Sequence, residues 1–251
     1  MLPQLSQHLR AKWSDLNVER PKPDQLSFLG MRTEVGDGYA IFLAFADHDP
    51  EPCLAVKIPR GADSERRLQN EWQMLSYLQA KEGMEASLPR PLLWEVVGDV
   101  RALVITAPPG LPMTSSHSST VERFTRVSEW LVQLAVATRA PQPSVTVEQD
   151  LMGMAEQVGA TFQLKDREMS VVEDWTVECL GIVRDAQAGL FAVHGNLHHR
   201  NLWWANDHLT AVNWERGALV GLPLQDLYAF VTTYHACVPQ VTSSGRRSKE
   251  D

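Results

Sequence analysis

The sequence predicts an α+β fold in two lobes, a small antiparallel sheet with one helix followed by a larger, mainly helical lobe. Three observations carry this expectation. Residues 26–59 alternate in polarity and are punctuated by turns, as a small sheet would be. From Ser119 onward the pattern changes to helical periodicity opened by capping residues. Between the two lies Pro108-Pro109-Gly110, where the lobe boundary is placed. The division is then an N-terminal extension over residues 1–24, a small lobe over 25–107, a helical lobe over 108–238 and a polar tail over 239–251.

In the small lobe, LSFLGMRT, YAIFLAF and CLAVKIP read as three antiparallel strands, with turns at Gly36-Asp37-Gly38 and around residues 47–52. A helix follows, opened by Asp63 or Ser64 as cap and closed near Gly83, with Leu68, Leu75 and Leu78 on one face. LLWEVV and ALVIT are the next strands, joined at Gly98-Asp99. In the large lobe Ser119-Thr120-Val121-Glu122 is a capping box ahead of Phe124, Val127, Leu131 and Leu134. Residues 146–149 repeat it before Leu151, Met154 and Val158, and a third helix spans roughly Glu168 to Ala188. LFAVHGNLHHRNLWWANDHLTAVNWERG reads as a short strand, a loop and a hairpin turning at Asn206-Asp207, and SSGRRSKED has no core to join.

Composition narrows the function. The 251 residues are 44% hydrophobic and 22% charged, enough for one large core or two lobes. A net charge of -8 argues against a nucleic-acid surface, so the expected partner is a small molecule or a protein. Cys53, Cys179 and Cys237 form no CxxC pair, which indicates neither zinc nor a disulfide framework and suits a reducing, cytoplasmic setting. No apolar run approaches the ~20 residues that span a bilayer, and no secretory leader is read at the start, so membrane attachment is not expected.

In the CLAVKIP strand Leu54, Val56 and Ile58 share one face while Ala55 and Lys57 share the other. Glu71 falls inside the apolar stripe of the following helix, three residues after Leu68 and four before Leu75. A carboxylate buried there without a cation costs several kcal/mol, on the order of a lost buried ion-pair partner, and Lys57 is the obvious mate. The plainer alternatives are an exposed strand lysine and a glutamate that snorkels into water.

With VKIP, Glu71, TAPPGLPM, HGNLHHRN, TAVNWERG and LPLQDLYAF in this order, the chain resembles the aminoglycoside phosphotransferase and choline kinase-like family over residues 26–236. The resemblance implies a protein kinase-like fold with ATP and Mg²⁺ as cofactors. It implies that Lys57 holds nucleotide phosphates, that Glu71 orients it, that Ala55 packs beneath the adenine, and that Ile105, Thr106 and Pro108 belong to the hinge. It makes His194 and Asp226 structural, Asn201 a metal ligand, and Asn196 and Asn213 the occupants of the catalytic-base and metal-binding aspartate positions.

The two asparagines decide the chemistry. An amide does not accept a hydroxyl proton near neutral pH, and loss of a general base forfeits ~10²–10⁴ in rate. Magnesium favours carboxylate and phosphate oxygen, so Asn201 and Asn213 make a weakened site. Glu215, two residues beyond Asn213, faces the same way if the strand is regular and could substitute, or else it is solvent-facing or structural. Pro108 lacks the hinge N–H that would donate to adenine. Gly36-Asp37-Gly38 is either a phosphate-covering turn or a plain hairpin turn. The chain ends about fifteen residues past Tyr234, so an acceptor pocket is expected to be incomplete by comparison with the family. His194, His198 and His199 lack zinc spacing, Ser115 to Ser119 is a linker and cap, and Trp203 and Trp204 are strand residues.

The leading reading is therefore a catalytically impaired pseudokinase, a binding or regulatory protein with weak or no nucleotide affinity. The alternative is an active ATP-dependent phosphotransferase acting on a small-molecule hydroxyl, with Glu215 or substrate groups replacing the missing acids. A third reading is that the two asparagines were introduced to trap a complex.

Overall fold

The structure is a computed structural model, and it describes residues 1–31, 38–113, 119–139, 146–185, 190–205, 208–222 and 224–237. The fold is α+β, with a five-stranded antiparallel sheet in the order β1-β2-β3-β5-β4. Its strands are β1 (Leu26–Met31), β2 (Tyr39–Ala46), β3 (Pro52–Pro59), β4 (Pro91–Val97) and β5 (Val100–Thr106). Alternation along β3 sends Leu54, Val56 and Ile58 to one face and Ala55 to the other, so the sheet serves two separate cores.

The outer core is closed by an element the sequence reading treated as an extension. Helix α1 (Leu2–Ala11) lays Leu5 and Leu9 over the sheet, and Trp13 and Leu16 continue the cover. The signal was present in the i, i+4 spacing of Leu5 and Leu9 and in Pro3 in the first turn. The inner core is closed by α2 (Ala62–Gln79), which buries Leu68, Glu71, Leu75 and Leu78. Its cap is Gly61 rather than Asp63 or Ser64: Ser64 sits in the third helical position, and its Oγ accepts from the Gly61 N–H at 3.2 Å. The helix stops at Gln79, short of Gly83, which lies in the turn that follows.

Beyond residue 110 helices dominate. Ser119 caps α3 (Thr120–Thr138) by accepting from the Glu122 N–H. Val127, Trp130 and Leu134 pack with Trp214 and with Phe230 and Tyr234 of α6 (Gln225–Cys237). Thr138 ties the end of α3 to β7 (Phe191–Val193), since its Oγ1 accepts from Ala192 N at 2.9 Å. β6 (Leu111–Pro112), β8 (Leu202–Ala205) and β9 (His208–Ala211) form a small sheet, and β10 (Ala218–Gly221) pairs with β7.

Helices α4 (Thr146–Phe162) and α5 (Asp166–Asp185) form a hairpin packed chiefly on itself. Gly159 lets them approach, because a Cβ there would overlap Met169 Sδ. The turns expected at Gly36-Asp37 and Asn206-Asp207, the 115–118 linker, the 186–188 helix end and the polar tail lie outside the described residues, as do the side chains of residues 146–148 in the expected cap. Among the described residues no helix is long and apolar enough to cross a membrane.

Candidate functional site

Lys57 of β3 is 2% exposed, and Glu71 of α2 is 0% exposed. Lys57 Nζ donates to both Glu71 carboxylate oxygens at 2.7 Å and to Asn213 Oδ1 at 2.7 Å. An ammonium has three N–H donors, so these contacts use all of them. The Tyr39 ring covers the same group, its centroid 5.5 Å from Nζ. Glu71 Oε1 also accepts from the Trp214 N–H at 3.4 Å, which joins α2 to the segment after β9.

The network runs on in one direction. Lys57 can only donate, so Asn213 must turn Oδ1 toward it and aim Nδ2 the other way. That amide donates to Asn201 Oδ1 at 2.7 Å, and Asn201 Nδ2 donates to the Asn196 carbonyl at 2.9 Å. The backbone carbonyl at the far end is an acceptor only, so both amide orientations are fixed from each side. Asn213 adopts φ 67°, a left-handed conformation that asparagine tolerates better than most residues.

The loop over residues 194–201 is held from below. Asp226, in the first turn of α6, accepts from His194 N at 2.6 Å and from Gly195 N at 3.0 Å. Burial raises its carboxyl above the usual range, and the two amide donors oppose that rise. Gly195 has φ 72°, and a Cβ there would collide with the Arg216 carbonyl. His194 Nδ1 accepts from Asn196 N at 3.3 Å, so Nε2 carries the proton and donates to the Val212 carbonyl at 2.9 Å. Burial keeps this imidazole neutral and lowers its pKa to about 4.

Ala55 pairs with Ile105 across the sheet. At the hinge the Thr106 N–H bonds to the Arg90 carbonyl and the Ala107 N–H to the Cys53 carbonyl. Pro108 and Pro109 have no N–H, so residues 106–109 keep no amide donor for a ligand. A cavity of about 840 Å³ lies beside this hinge, lined by Arg20, Cys53, Arg90 and residues 106–111, but neither Lys57 nor Asn213 lines it.

Glu215 departs from the strand reading. Asn213 and Trp214 are not in a strand, and the left-handed turn at Asn213 breaks the alternation that would have given 213 and 215 a shared facing. Glu215 is buried rather than solvent-facing, and its carbonyl accepts from Asn70 Nδ2 at 3.3 Å. Asn70, which also donates to the Gly217 carbonyl at 2.9 Å, and Tyr39 were missed. Tyr39 lies two residues before Ile41, the cross-strand partner of Lys57, but that register is visible only in the folded sheet.

These residues do not fit Mg²⁺. The Asn213 Nδ2 hydrogen, not a lone pair, faces Asn201 Oδ1, and both amide oxygens already accept hydrogen bonds. Among the described residues no cluster of three or more His, Cys, Asp or Glu could hold a metal ion.

No protein-family profile and no curated protein matches the sequence. Solved structures do. Aminoglycoside phosphotransferase APH(3'')-Id from Streptomyces rimosus ATCC10970 superposes with a TM-score of 0.53 at 16% identity, over 92% of this chain and 83% of that one. The apo form of a thermostable mutant of aminoglycoside phosphotransferase APH(4)-Ia gives 0.58 at 13%, over 93% and 78%. The streptomycin-ATP-APH(2")-IIa ternary complex gives 0.53 at 16%, over 86% and 73%. At such identities the likeness is one of architecture, and this chain has the bilobal, kinase-like fold of the aminoglycoside phosphotransferases.

Proposed function

We propose that this chain is a pseudokinase, a binding or regulatory protein that keeps the phosphate side of its cleft closed with its own side chains. The observation that carries this is the full engagement of Lys57: two N–H groups on Glu71 and one on Asn213. A nucleotide phosphate reaching Lys57 has to displace Asn213 first. In the relative solved with streptomycin and ATP the nucleotide is that protein's ligand. Here the same class of ligand meets a hinge without free amide donors and a pair of amides where a metal would need anionic oxygen.

The proton bookkeeping points the same way. Transfer to a hydroxyl needs an acceptor for its proton, and Asn196 offers an amide. The chain's own residues therefore bind and orient, with no group at position 196 or 213 to move a proton. Phosphate release from ATP tests the reading, because hydrolysis by water needs no acceptor. The unmodified protein is expected to show no turnover above a heat-inactivated control, and the Asn196→Asp, Asn213→Asp double variant is the smallest change expected to raise it. Robust turnover by the unmodified protein would mean that it is a phosphotransferase.

A further inference from the structure

The α4–α5 hairpin shows its apolar residues to solvent. Gly159 of α4 meets Met169 of α5, and Ala155, Thr176 and Leu180 are buried residues of the pair. At 100° per residue, Trp175 of α5 lies on the same side of this antiparallel pair as Val158 and Phe162 of α4, and Val171, about 160° round from Met169, continues that face onto the side of α5 turned away from α4. These four side chains are 40%, 70%, 46% and 66% exposed. Isolated exposed apolar residues are ordinary, but a face spanning two helices with a tryptophan and a phenylalanine is not.

Acids outnumber bases around this face, where Arg167 and Lys165 are the exposed cations beside Val171 and Phe162. Glu168, Asp174 and Glu178, all exposed, border the Val171–Trp175 stripe at helical spacings of three and four. Residues 146–185 hold nine Asp and Glu against three Lys and Arg, a net of -6 within a chain of -8. A second copy of this chain, a nucleic acid or an anionic membrane would each bring negative charge to negative charge. An amphipathic helix is the element that presents apolar and charged side chains together over a face of this length.

We propose that this face is a docking surface for a cationic amphipathic helix of a partner protein. Leucine-like side chains of the partner pack on Phe162, Val171 and Trp175, and its Lys and Arg reach Glu168, Asp174 and Glu178. Trp175 is the anchor, since a large, exposed aromatic ring gains most from burial at an interface. The surface is independent of the state of the cleft.

The test uses the full chain and a fluorescent, synthetic amphipathic peptide of leucine and lysine, followed by anisotropy. The matched peptide with glutamate for lysine is the control. The lysine peptide is expected to bind and the glutamate peptide not to bind. Trp175→Ser should weaken the lysine peptide at least about tenfold, with Val171→Ser as a second reporter, while the melting temperature stays unchanged. Glu168→Lys with Glu178→Lys should weaken binding and flatten its salt dependence. No binding, equal binding of both peptides, or binding that survives Trp175→Ser overturns the proposal, the last because it leaves only polyelectrolyte attraction. Sedimentation showing a dimer that Trp175→Ser abolishes overturns it too, by making a second copy the occupant.

Discussion

Around Lys57, ionic and amide groups are buried and spend their hydrogen bonds on one another, whereas on the α4–α5 hairpin an aromatic, apolar face stands in solvent among exposed acids. The first region resembles an interior that has displaced its ligand, the second an interior that lacks its other half. The contrast teaches where to look for binding. A ligand entering at Lys57 has to break contacts between 2.7 and 2.9 Å that the protein already makes. A partner on the hairpin breaks nothing and gains the burial of Trp175 and Phe162.

Substitutions that attack each region should therefore differ sharply in their effect on stability. The largest effect is expected from Glu71→Ala, which strands the Lys57 charge in a site only 2% exposed. Loss of one partner of such a buried pair costs about 3–5 kcal/mol. Chemical denaturation checks it, and the double change Lys57→Met, Glu71→Leu should recover most of the loss. A Glu71→Ala variant as stable as the parent would show that Lys57 has another way out to water.

The next effect is a response to pH. His194 is neutral in the fold with a pKa of about 4, below its ordinary value near 6.5. The unfolded chain thus binds a proton that the folded chain refuses, and stability that is fully present above about pH 6.5 is lost as pH falls toward 4. Between about pH 7 and 5 this amounts to about 2 kcal/mol. Melting curves of His194→Gln, which cannot titrate, should have a shallower slope across this window than those of the unmodified chain. The smallest effect is expected on the hairpin, where Trp175→Ser should change stability by no more than about 0.5 kcal/mol, as for other exposed sites. A larger loss would mean that the hairpin's outer face is part of the core.

Much of this arrangement was legible in the sequence. The alternation of residues 54–58 separates the face of Lys57 from that of Val56, and Glu71 inside a leucine stripe calls for a buried cation. Order and spacing of the HGN and NWE segments set them in the same fold. What sequence reasoning could not supply was conformation at single residues. The left-handed backbone of Asn213 breaks the strand rule on which the facing of Glu215 depended, and the Tyr39 cover over Lys57 depends on strand register. Helix α1 was missed for a different reason: its short apolar stripe gains meaning only from the sheet face it covers. The polarity of the amide chain from Asn213 to Asn196 follows from Lys57 being a pure donor, which requires the pair to be in contact.

Whether the cleft accepts a metal-bound nucleotide separates a pseudokinase from an enzyme. Calorimetric titration of the unmodified chain with ATP, in parallel with and without Mg²⁺, measures this. The expected result is weak or undetectable heat that is the same in both titrations, because all three Lys57 donors are already used and Asn213 and Asn201 offer amide oxygens where the metal favours carboxylate. Tight binding that appears only with Mg²⁺ would contradict it, since the network would then have to open and some carboxylate, Glu215 first among those nearby, would have to complete a metal site.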